Sequence, residues 1–173
     1  MLFMDECIER YRRILVVSSE NKRLISTHIH TAWNMGDFEK LKHSFARQFF
    51  YKTTFTDEIL NAEQYLGLIA TLREAIPDIL VEIEVIMSEQ NRVMTQVSFI
   101  GQVEKSIYGI PVSNKIITFP AMSVWEVENN RINSVETLMD MTSISRQVGQ
   151  PIQPQVPLSI RSNPVLNIKK SSS

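Results

Sequence analysis

Between residues 18 and 36 the apolar positions recur at helical spacing. Leu24, Ile25, His28, Ile29, Ala32 and Trp33 form one broad stripe; Ser18 or Ser19 can cap its start and Gly36 stops it. Ahead of it, Ile8, Tyr11, Ile14 and Leu15 fall at roughly the same period, which predicts a short helix in an N-terminal extension, residues 1–18. Behind it, Asp37 is placed to cap a second short helix, "DFEKLKHSF". "QFFYKTTF" (48–55) is aromatic and β-branched and reads as a strand. Asn61 opens a third helix over 61–76, and Pro77 ends it.

Beyond Pro77 the period changes to two. "ILVEIEVIMSE" (79–89), "RVMTQVSFIGQVEK", "KIITFPAMSVWEVE" and "RINSVETLMD" alternate apolar and polar residues, with "QN" (90–91) and "NN" (129–130) as turns. Such runs predict an antiparallel meander. Helices first and strands afterwards indicate an α+β fold rather than a parallel βαβ sheet. "MTSISRQVG" returns to helical spacing after Asp140. From residue 150 onward there are four prolines and no period, so 150–173 reads as a mobile tail or an arm laid over a partner.

Charge and composition narrow the function classes. Eighteen basic and nineteen acidic residues nearly cancel, with no basic run, which argues against a nucleic acid or an anionic membrane as partner. The single cysteine, Cys7, cannot form an internal disulfide and fits a reducing compartment. The charged first residues lack the apolar core of a signal peptide, and "ILVV" is too short to span a bilayer. The expectation is a cytoplasmic protein. His28 and His30 are two apart on a helix and point different ways, so no metal pair forms there. The five glycines are scattered and make no phosphate-binding loop, so neither a metal nor a cofactor is expected.

Four stretches, in order, resemble one family. "TAWNMGDFEKL" (31–41) is similar to the W-N-x-G-D junction of SnoaL-like polyketide cyclases. "AIPDI" (75–79) resembles their F-P-D, "GQVEKSIYGIPVSNK" (101–115) their G-T-H hairpin, and "D…QVG" (140–149) their D…Q-L-G ending. The resemblance implies that residues 19–149 form a cone-shaped α+β barrel, a curved antiparallel sheet closed by three helices around one pocket. It places the family aspartate on Asp140, the family histidine on Val103 and the family tryptophan on Glu136.

The candidate chemistry follows from that register. Asp140 is either a pocket acid whose pKa apolar surroundings would raise, or the cap of the helix after it. If residues 136, 138 and 140 line the pocket, Glu136 and Leu138 join it, about 13 Å separating Glu136 from Asp140. That is too far for a shared-proton pair. Trp33, Tyr51, Tyr65, Phe119 and Trp125, with Val103, are the candidate apolar lining, suited to a flat hydrophobic guest. Two functions remain in view. One is cofactor-free cyclisation, isomerisation or dehydration of a polyketide-like or polycyclic molecule by Asp140. The other is non-catalytic binding, since Val103 cannot move a proton. Apolar residues on both sheet faces further predict a homodimer.

Overall fold

The computed structural model describes residues 18–54 and 56–152. The expected helix before residue 18 and the tail beyond Ile152 lie outside them. The first helix, α1, is α-helical over residues 18–29 and runs on as a π-helical turn, His30–Met35. Its stripe packs as the spacing predicts: Ile25, His28, Ile29, Ala32 and Trp33 are buried. Gly36 ends it at φ 68°, in the left-handed region where a Cβ is costly.

The expected second helix shrinks to one 3-10 turn, Glu39–Leu41. The aromatic run after it extends earlier than predicted, and strand β1 is Phe45–Thr53. A second strand that the pattern did not suggest, β2 (Thr56–Leu60), folds back on it. Helix α2 is Ala62–Ala75. Its start is fixed reciprocally: Gln64 N–H donates to Asn61 Oδ1 (2.9 Å) and Asn61 N–H to Gln64 Oε1 (3.0 Å). The meander follows as β3 (Leu80–Glu89), β4 (Arg92–Gly101), β5 (Ile117–Glu128) and β6 (Arg131–Met139), then α3 (Met141–Val148). The Asn129–Asn130 turn has positive φ at both residues (51° and 58°), the geometry that lets a two-residue hairpin follow the strand twist.

The six strands form one sheet in the order β2-β1-β6-β5-β4-β3. The fold is α+β, as expected. Two details refine the picture. The sheet is mixed, because β1 runs parallel to β6 while every other pairing is antiparallel. It also stays open, with β2 and β3 as edges, rather than closing on itself. Register shifts at Phe45/Phe50, Ile83/Val85 and Glu126/Val127 supply bends. The shift in β3 also changes which residues face inward: Val81 is buried, whereas Val85 and Met87 are exposed. No helix among the described residues is long and apolar enough to cross a membrane.

Candidate functional site

The concave side of the sheet, covered by α1 and α2, is the candidate site. Which residues of β6 face it is decided by burial: Val135 and Thr137 are buried, whereas Glu136 and Leu138 are exposed, Leu138 at 68 %. Val135, Thr137 and Met139 line the interior void, so the expected face is inverted. Glu136 lies on the outer face, 3.5 Å from Lys52 Nζ. Leu138 belongs to an open groove of about 630 Å³ on that same outer face.

Asp140 follows the same correction. Its Oδ1 accepts the Ser143 N–H at 2.9 Å, and it is the N-cap of α3. A carboxylate turned onto the positive end of a helix satisfies an orphan donor there. It is therefore not aimed into an enclosed apolar pocket, and it borders neither interior void. Val103 is fully buried but also borders neither void. Its N–H donates to Ser113 Oγ (3.0 Å) and its carbonyl accepts from Ser113 N–H (2.9 Å), so it pins the 102–116 loop.

The aromatic candidates fare differently. Trp33, Tyr51, Tyr65 and Trp125 border one void of about 30 Å³. Phe119 borders a second, of about 10 Å³, and its ring stacks on Phe99 at 5.1 Å. Polar groups in the first void pair among themselves. Trp125 Nε1–H donates to Thr95 Oγ1 (3.0 Å), and the Ser123 and Thr137 hydroxyls are 2.9 Å apart. Both voids are far below the roughly 300–1,000 Å³ of a small-molecule site.

His28 is buried beside the first void without bordering it. It lies in a cage of Phe45, Tyr65 and Trp125, with Nε2 3.3 Å from the Tyr65 hydroxyl and Nδ1 without a partner among the described residues. Burial lowers its pKa to about 3, so the imidazole is neutral. Burial likewise pushes the Tyr65 hydroxyl well above the phenol range; Tyr51 nearby adds to this and a hydrogen bond with Trp33 opposes it. Tyr51 is raised by burial against its bonds with Thr53 and Thr137. Both phenols are thus protonated donors. No Asp, Glu, Lys or Arg is among the described buried residues.

The model of the SnoaL-like polyketide cyclase family matches residues 23–148. The chain belongs to that family. Among curated proteins none matches it. Solved structures share the fold at low identity. A SnoaL-like polyketide cyclase candidate from Jannaschia sp. CCS1 superposes with TM-score 0.69 at 16% identity, covering 78% of this chain and 94% of that one. A polyketide cyclase candidate from Acidithiobacillus ferrooxidans gives 0.68 at 20%, with 78% and 98% covered. An LEH-like epoxide hydrolase of M. tuberculosis gives 0.60 at 15%, with 76% and 86% covered.

The SnoaL-like motifs of this chain prove to be joints of the fold. Asn34 grips β3 at both ends of its amide: Val81 N–H donates to Oδ1 (2.8 Å) and Nδ2 donates to the Val81 carbonyl (3.0 Å). Arg73 of α2 donates to the Trp33 carbonyl. Asp78 accepts the Gln102 N–H at 2.9 Å. Gly101 must be glycine, since a Cβ there would lie 2.4 Å from Ile76 Cγ2. Gly149 closes α3 at φ 77°.

Proposed function

We propose that this chain binds an apolar, polyketide-like or polycyclic small molecule between the sheet and helices α1 and α2, and that it does so as a binding module. The observation that carries this reading is the composition of the interior wall. Aromatic rings, aliphatic side chains and neutral hydroxyls meet there, with no carboxylate among the lining residues. Apolar pockets with a few polar groups are the usual form of small-molecule sites. Cyclisation or isomerisation needs a group that exchanges protons near neutrality, within reach of the guest. Asp140, the resemblance's choice for that group, is engaged at the α3 terminus. Family membership and the fold of the solved neighbours support small-molecule binding. The interior is filled in this form, so a guest must displace wall side chains to enter.

Both of the chain's tryptophans border the first void. Their fluorescence therefore tests the reading directly. Titration with 2-ethylnaphthalene, a neutral apolar probe, is expected to quench it saturably with one probe per chain. No saturable quenching up to the solubility limit would refute binding in this interior.

The outer face suits a second copy of the chain. Met122, Val124 and Leu138 are exposed around the groove, while Lys52–Glu136 and Arg92–Glu126 pairs leave its charges balanced. A neutral apolar face bounded by both signs of charge can meet its own two-fold copy without repulsion. The homodimer expected from the sequence is thus proposed to form here. A monomer by light scattering at micromolar concentration would exclude it.

A further inference from the structure

The residues between β4 and β5 divide into a fixed base and a self-contained tip. At the base, the Glu104 and Lys105 N–H groups both donate to the Ala75 carbonyl (2.8 and 3.3 Å), one of those left over at the end of α2. Asp78 holds Gln102, Val103 and Ser113 exchange two bonds, and Ser113 Oγ donates on to the Lys115 carbonyl (2.7 Å). The tip is residues 106–112. Ile107 and Ile110 exchange backbone hydrogen bonds (2.9 and 2.7 Å), and Ser106 Oγ donates to the Ile110 carbonyl (3.1 Å). Tyr108 and Gly109 make its turn at positive φ, 51° and 83°, the tight two-residue form. Among the described residues, no backbone–backbone hydrogen bond joins the tip to the rest of the protein.

Side chains hold the tip down instead. Ile107, Tyr108 and Ile110 are buried, while Ser106, Gly109 and Val112 are exposed. Ile110 reaches the second void and is the part of its wall that this loop carries. The other wall residues sit on α1, α2, β4, β5 and β6, or on the turn after α2, where Ile79 N–H donates to the Ile76 carbonyl (3.1 Å). Moving a helix or a strand gives up a ladder of directional bonds. Lifting the tip gives up mainly apolar contact, which is non-directional and is remade on closing. The tip is therefore the wall that opens most easily.

We propose that the 106–112 tip is the gate of the interior. It swings at Lys105 on one side and at Pro111 and Val112 on the other, while the base stays fixed. The swing lifts Ile110 out of the wall and admits the guest to the space so vacated. The proposal rests on the interior-binding reading above and adds the route by which voids of only about 30 and 10 Å³ take up a guest. Because the guest leaves by the same door, the gate sets both rates and not the affinity.

Stopped-flow tryptophan quenching by 2-ethylnaphthalene tests it with Ile107→Ala, which weakens the closed tip at a residue that borders neither void. The closed tip loses the same contact with and without the guest, so the open population rises in both states. Association and dissociation should both quicken about tenfold or more, with Kd changed less than about twofold. Rates equal to those of the wild type would overturn the gate and leave the interior reading in place. A shifted Kd with unchanged association would make Ile107 part of the guest's seat and would overturn it too. Hydrogen exchange of the wild-type protein needs neither variant nor guest. The Ile107 and Ile110 amides should exchange at least about 100-fold faster than those of Glu104 and Ser113. Equal protection would mean that base and tip open only together, and would also overturn the gate. Absence of saturable quenching would remove the interior reading and the gate with it.

Discussion

The two faces of the sheet are made from alternate residues of the same strands, yet they obey different rules. Inward, neighbouring strands contribute Thr95, Ser123 and Thr137 beside Trp125, and the polar atoms pair locally. Outward, Lys52, Arg92, Glu126 and Glu136 form ion pairs in an open groove among methionines and Leu138. The interior tolerates polar groups only when they are neutral and partnered; the outer face tolerates charge because water screens it. The difference teaches where chemistry can reside. A carboxylate of β6 acting on the helix-covered side of the sheet would have to come from a residue of inward parity, and β6 offers Val135, Thr137 and Met139 there.

The sharpest break of the comparison uses two adjacent residues. Thr137→Asp puts a carboxylate inside, where it costs about 3 kcal/mol or more and should abolish native near-ultraviolet circular dichroism. Leu138→Asp, one residue on, should keep the native spectrum and, if the proposed dimer forms, yield a monomer by light scattering. Equal effects at the two positions would mean that the parity is wrong.

The next effect is a pH dependence confined to the inner face. His28 has its folded pKa at about 3, against 6.5 for the free side chain. Between those values the unfolded chain binds a proton that the folded chain refuses, so stability falls as pH falls. The slope approaches about 1.4 kcal/mol per pH unit below about pH 6. Urea unfolding at pH 7 and pH 5 should therefore show a loss on the order of 2 kcal/mol in the wild type. His28→Phe should remove that part of the acid sensitivity. An unchanged acid slope in the variant would show that His28 is not buried as described.

The smallest effect belongs to Asp140. As a cap, Asp140→Ala costs about 1 kcal/mol and Asp140→Asn close to nothing, measured by thermal unfolding. Probe affinity should be unaltered in both. If a turnover is found and Asp140→Asn lowers it by roughly 10²–10⁴, the side chain acts as an acid or base and the binding-module reading fails.

Much of the fold was legible because its signals are local. Asn61, Gly36 and the Asn129–Asn130 turn act as their chemistry dictates. The Ile25–Trp33 stripe lands in the core for the same reason. What escaped depends on distant parts. Strand β2 is short and carries charge, so only its pairing with β1 makes it a strand. The "DFEKLKHSF" helix lost its end to β1, whose Phe45 rings against His28 and Phe49. Trp33, Tyr51, Tyr65 and Trp125, grouped in the sequence as aromatic residues, border one void. The face of β6 was not legible. A register shift at Glu126/Val127 lies just before the Asn129–Asn130 turn into that strand, and the resemblance at Asp140 drew the inward face onto even numbers. Glu136 carried the corrective signal, since a glutamate midway along a strand favours the side facing water. The motifs that name the family secure joints of the fold in this chain.

One pairing fixes when the molecule can finish folding. β1 lies beside β6 in parallel, and Met139 N–H donates to Thr54 Oγ1 across 85 positions of sequence. No hairpin can make that contact. The meander β3 to β6 can zip from neighbour to neighbour, but β1 and its appended β2 must wait until β6 exists. Closing so long a loop is entropically costly and earns its contacts late. During synthesis the aromatic run of β1 therefore leaves the ribosome well before the strand that shelters it, and for that interval it is the segment most exposed to wrong partners.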